Sequence, residues 1–222
     1  MNTRARITAG LLVLLSAVAL AGRPAAATDG LGVPWFHQQL HDDCEAAALR
    51  MVLAGRGLAV SDLDVLARVG IDLAHAEFGH SGARSGDPYR TFVGDPDGSE
   101  RHGTGYGVYA PPIAAAARAF GLTVLASGRG IGTGLLARLV GAGHPAVVWV
   151  DYLWRSRPVR WYQAYDGNWV PYAGAGEHAI AVTGFHAGQV QVDDPARGHY
   201  LISATAFAAG YAAYGDMAVV VR

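Results

Sequence analysis

One cysteine, Cys44, stands in a chain of 222 residues, so no intramolecular disulfide can staple this fold. That matters because the chain opens like an exported protein. Arg4 and Arg6 give a basic start, Ala9 to Ala21 is apolar apart from Gly10 and Ser16, and Ala25-Ala26-Ala27 offers a small-residue cleavage site before Thr28. Exported chains meet oxidising surroundings, where cysteines usually pair. Here nothing is available to pair with, and stability has to come from a packed core. Residues 28–222 number 195, one domain's worth and enough to build such a core. The expected organisation is a signal peptide over 1–27, then a single secreted, extracytoplasmic domain over 28–222. The apolar run is short of the roughly 20 residues that span a bilayer, so no stable membrane anchor is expected once it is removed.

Loss of 1–27 removes Arg4, Arg6 and Arg23 and no acid, leaving 14 of the 17 basic residues against 18 acidic ones. A mildly acidic domain has no electrostatic footprint for nucleic acid. Local patterns then place the elements. A helix begins at Cys44, with Asp42 or Asp43 as its cap and Gly55 or Gly57 at its end. Ser61-Asp62-Leu63-Asp64 reads as a capping box opening a short helix to Val69. Residues 78–110 are rich in Gly, Pro, Asp and Ser and read as a long loop. Helices follow from Pro111 and from Gly134, with strands at Leu122 to Ala126 and Ala146 to Val150. A second loop, Asp151 to Glu177, carries seven aromatic residues that suit either a groove or a satellite core. Strands then dominate: His178 to Phe185, Gln189 to Asp194, Gly198 to Ser203 and Asp216 to Arg222, with a short helix from Ala204. Helices first and antiparallel strands last define an α+β class.

A lone thiol at a helix N-terminus points to nucleophilic chemistry, because the helix dipole there favours thiolate. Such a group needs a base and an orienting acid. Among nine histidines, His178 is the best placed, opening a strand at a sheet end. If His186-Ala187-Gly188 is a three-residue hairpin loop, Phe185 faces Gln189 and Ile180 faces Asp194. His178 and Asp194 then become diagonal neighbours on one face, and Asp193 points to the other. A two- or four-residue loop reverses that choice.

With Cys44, His178 and Asp194 assembled, the chain resembles the C39-like cysteine peptidases, a papain-like fold group. Gln38 stands six residues before Cys44, where that family places its oxyanion-hole glutamine. Asp43-Cys44-Glu45-Ala46-Ala47, Glu177-His178-Ala179 and Val192-Asp193-Asp194-Pro195 match in order and spacing. The resemblance implies N-terminal helices, with the cysteine at a helix start, packed on a C-terminal antiparallel sheet. It also implies a thiol protease acting on a peptide or protein through Cys44, His178, Asp194 and Gln38, with no cofactor. Glu45 stands where transporter-linked members carry Gly, and these 222 residues show no membrane or ATPase region, so double-glycine leader cleavage is not expected. Negative charge from Glu45 beside the thiol tends to raise its pKa. Two alternatives follow: a papain-like module that binds peptides without turnover, and a thiol amidase or acyltransferase.

Other patterns are weaker. Gly132-Thr133-Gly134-Leu135-Leu136-Ala137 fits a dinucleotide fingerprint, but five residues separate it from the preceding strand. His37, His41 and Asp42, or His75, His80 and His102, lack ligand spacing within a defined element, and no metal site is expected of them.

Overall fold

The computed structural model describes residues 28–222. The export signal read over 1–27 lies outside the described residues. Among the described residues there are five α-helices: α1 (Cys44–Ala54), α2 (Asp62–Val69), α3 (Ala110–Ala119), α4 (Thr133–Gly141) and α5 (Ala204–Ala212). Local chemistry explains their limits. Ser61 Oγ accepts the Asp64 N–H (3.0 Å) and the Asp64 carboxylate accepts the Ser61 N–H (2.7 Å), closing the capping box of α2. Prolines occupy the start of α3, where a missing N–H is harmless. None of the described helices is long and apolar enough to cross a membrane.

A six-stranded antiparallel sheet runs in the order Gly198–Ser203, Gln189–Asp194, Glu177–His186, Ala146–Asp151, Ala218–Val221, Val124–Gly128. Alternation along the strands divides the core in two. Val147, Trp149, Ala179, Ala181 and Val219 join Leu49, Met51, Val52 and Ile113 of α1 and α3. Val148, Val150, Ile180, Val182 and Val220 join Leu136 of α4 and Phe207 and Tyr211 of α5. Strand Ala146–Asp151 is buried at every position, which accounts for its unbroken apolar run. Helices on both faces of one sheet supply the core that a disulfide-free chain requires.

Both long loops hold more structure than their composition suggests. Ile71–Asp72, Phe92–Gly94 and Gly105–Gly107 form a small three-stranded sheet, and Arg160–Gln163 pairs with Trp169–Tyr172 as a hairpin. Such strands of two to four residues are too short to show a period, and pairing across the chain defines them. The aromatic residues serve both purposes considered for them. Tyr162 is buried and donates to the Gly86 carbonyl (3.0 Å), whereas Trp161 and Trp169 are exposed and Tyr152 lines a cavity.

The hairpin at residue 187 corrects one expectation and preserves its consequence. Its loop has two residues, Ala187 (φ 47°) and Gly188 (φ 83°), with His186 opposite Gln189. Positive φ at both positions is the backbone that matches strand twist in two-residue hairpins. That loop alone would have moved Asp194 to the wrong face. A bulge at Thr183, between the pairs Gly184–Gln191 and Val182–Val192, inserts one residue and restores the parity. Ala181 therefore stands opposite Asp193, and Asp194 shares the face of His178.

Candidate active site

Segment 35–43 carries the chain to Cys44 and is pinned at several points. Trp35 Nε1 donates to the Asp194 carbonyl (2.7 Å) and the Gln38 N–H to the Pro195 carbonyl (3.0 Å). Gln39 and Asp62 exchange two hydrogen bonds (2.8 and 2.9 Å), and Arg50 of α1 holds the other Asp62 oxygen (2.9 Å). Asp43 occupies the N-cap position of α1, yet its side chain does not cap the helix; it accepts the Leu40 N–H instead (3.2 Å). Cys44 is thus the first helical residue, 6% exposed, with Sγ accepting the Ala179 N–H at 3.2 Å. Ala179 follows His178, so this bond ties the thiol to the histidine strand.

His178 Nε2 lies 2.8 Å from Asp194 Oδ1. The carboxylate is fully buried and heavily bonded. Oδ1 also accepts the N–H groups of Ala196 (2.9 Å) and Arg197 (3.1 Å), while Oδ2 accepts Arg197 Nε (2.7 Å) and the Tyr200 hydroxyl (2.8 Å). Burial alone would raise the Asp194 pKa. The hydrogen bond and charge of His178, with Arg197 and Tyr200, outweigh it and hold the carboxyl well below its usual range. Arg197 also lies 4.1 Å from the Tyr152 ring centroid, and that ring meets His178 edge-on at 5.0 Å. One arginine therefore braces both the acid and the ring beside the histidine. Arg197 and Tyr200 were not singled out in the sequence, and Tyr152 was read only as one of seven loop aromatics suited to a groove or a satellite core. The one signal for Arg197 was its place three residues beyond Asp194.

Cys44, His178 and Gln38 line one cavity of about 610 Å³, with Asp42, Glu100, Tyr152 and Glu177 around them. In this structure the Gln38 amide donates to the carbonyls of Leu40 (3.0 Å) and His41 (2.9 Å), bracing the turn that precedes Cys44. Either bond has to be exchanged before the amide can meet a substrate oxygen. Three of the five histidines set aside as metal ligands lie against acids close by: His41 against Asp97 (2.6 Å), His75 against Asp72 (2.8 Å) and His80 against Glu77 (3.2 Å).

Electrostatics at the thiol run against the expectation of a resting thiolate. Burial, then the nearby carboxyls of Glu45 and Glu177, push the Cys44 pKa well above its ordinary value, and the Ala179 N–H offsets only part of this. The helix dipole is a partial charge, and it loses to desolvation and two acidic neighbours. The thiol donates to Glu45 Oε2 at 3.5 Å. Glu45 is itself raised to about 8 by burial, partly offset by the Val108 N–H that its other oxygen accepts. Alkylation of Cys44 by an electrophilic probe should therefore be slow near pH 6 and climb about tenfold per pH unit through neutrality, as thiolate accumulates. A rate already on its plateau at pH 6, followed by intact-mass spectrometry, would contradict this balance.

The sequence profile of the Peptidase C39-like family matches residues 30–219. The chain belongs to that family. Its fold is similar to a Bacillus anthracis protein assigned as a C39-like peptidase, with TM-score 0.72, 21% identity and coverage of 86% of this chain and 95% of the other. Also similar is the peptidase domain of Streptococcus ComA, a bifunctional ABC transporter involved in a quorum-sensing pathway (TM-score 0.49, 15% identity, 84% and 95% coverage). A double-glycine-motif protease from an AMS/PCAT transporter, solved with its leader peptide, gives TM-score 0.41 and 17% identity over 88% and 94% of the two chains. No curated protein matches the chain. The chain thus belongs to the C39-like cysteine peptidase family and has its papain-like α+β fold.

Proposed function

We propose that this C39-like protein is a secreted peptidase that cleaves peptide bonds through Cys44, His178 and Asp194, with Gln38 and the Cys44 N–H binding the oxyanion. The observation that carries the reading is the 2.8 Å bond between His178 Nε2 and Asp194, made beside a cavity that His178 shares with the thiol. Asp194 occupies Nε2 and so leaves Nδ1 to act as base. Because the resting group is a thiol, His178 takes its proton as sulfur attacks, in the manner of a general base. The S–C bond forms, the C–N bond breaks, and the proton passes from His178 to the departing amine. Water, activated by the same ring, then releases the acid and restores the thiol. Gln38 contributes once the substrate carbonyl replaces one of the backbone carbonyls it now holds.

Trapping an acyl-thioester on Cys44 during turnover of a peptide mixture tests the mechanism, and a peptide that binds without such an adduct would move the reading to a binding module. Export is tested separately. The mature protein should begin at or near Thr28 outside the cytoplasm, as the basic, apolar and Ala25-Ala26-Ala27 segments imply. N-terminal sequencing that returns Met1 from the exported protein would refute that processing.

A further inference from the structure

Behind the thiol lies an arrangement that peptide hydrolysis does not require. Among the described residues, Cys44, Glu45 and Glu177 bring one thiol and two carboxylates together, with ligand atoms within 4.8 Å of one another and all three residues buried. Glu177 is 9% exposed and lines the cavity, yet its Oε1 has no hydrogen-bond partner among the described residues. Backbone shape makes room for the pair of acids. At Gly107 (φ +135°) a Cβ would collide with Glu45 Oε1 and crowd Glu177 Oε2 at 3.2 Å. A buried acid with an unpaired oxygen is costly, and more so beside a second acid and a thiol.

We propose that Cys44, Glu45 and Glu177 form a binding site for a thiophilic divalent cation, with zinc the first candidate, that caps the nucleophile reversibly. One thiolate with two carboxylates is a donor set suited to zinc, cadmium or cobalt(II), while the sulfur disfavours magnesium and calcium. Binding breaks the S–H bond, forms a sulfur–metal bond and releases the thiol proton to solvent, with any carboxyl proton following; no electron moves. Water from the cavity completes the coordination. The dication offsets two of the three negative charges that two carboxylates and one thiolate would otherwise bring together in a buried site. The consequence for activity rests on the peptidase reading above; the site itself does not.

Cobalt(II) serves as the probe because thiolate ligation gives a charge-transfer absorption that needs no turnover. Wild-type protein should take up one cobalt per chain with that band, and zinc should displace it and block alkylation of Cys44. Cys44→Ser should lose the band. Glu177→Gln should weaken uptake by about 10-fold or more, since losing a direct ligand should cost no less than losing an outer-shell partner. His178→Ala should bind cobalt much as wild type does. Three results would overturn the proposal: no band in the wild-type protein, unchanged affinity in Glu177→Gln, or loss of binding in His178→Ala, which would place the ion on the cysteine–histidine pair. A protein that binds cobalt as expected but cleaves no peptide would leave this site standing and defeat the peptidase reading alone.

Discussion

Cys44→Ala should yield a folded protein that forms no acyl-enzyme and hydrolyses no peptide. The thiol is the only group in the cavity able to form a thioester, and the described histidine and acid stay in place without it. Loss of a nucleophile in a catalytic triad removes about 10⁴-fold or more of turnover, because the base then has nothing to activate. The fold should tolerate the change. Cys44 is the first residue of α1, and the helix is fixed by Leu49, Met51, Val52 and Leu53, all buried at 0% exposure. One local cost is specific: the Ala179 N–H loses the sulfur it donates to, and a buried donor left unpaired costs about 1–3 kcal/mol. Thermal unfolding should therefore show a modest loss with a cooperative transition intact. Full peptide hydrolysis by this variant, with wild-type contamination excluded by intact mass, would sink the thiol mechanism.

Asp194→Asn should lower kcat by about 10²–10⁴-fold, the range spanned by general acid–base catalysis, while Asp193→Asn should change it little. The distinction comes from the sheet. Asp194 accepts from His178, and Asp193 Oδ1 faces His199 Nδ1 at 2.7 Å on the opposite side. All five hydrogen bonds of the Asp194 carboxylate use it as an acceptor. An asparagine that keeps its oxygen on His178 must aim its NH2 at Arg197 Nε, donor against donor. If it flips, the NH2 meets His178 and two backbone N–H groups. Either orientation disturbs the ring that has to take the thiol proton, and the first also frees Arg197 from its place beside Tyr152. Steady-state kinetics on both variants, with unfolding curves to separate stability from turnover, measures the difference. Equal effects, or the reverse order, would refute the assignment of the acid.

Local chemistry was legible in the chain itself. The capping box at Ser61, the prolines opening α3, the helix beginning at Cys44 and the strands around His178 and Asp194 all follow from interactions spanning a few residues, which propensity and period report directly. Motif order then pointed to the family, through Gln38, Cys44, His178 and Asp194 read in sequence, and the family profile matches residues 30–219. Other features were settled by contacts between distant segments. A two-residue turn and a bulge at Thr183 changed the hairpin register twice, and only their sum returned Asp194 to His178. The small strands in the 78–110 and 151–177 segments exist through partners that no local pattern announces. Above all, the charge state of Cys44 was not a property of its helix. Its position at an N-terminus argued for thiolate, and it took the folded chain to bury it and bring Glu177 beside Glu45. Burial and through-space charge depend on which segments meet, and at this site they outweigh the dipole that the sequence could supply.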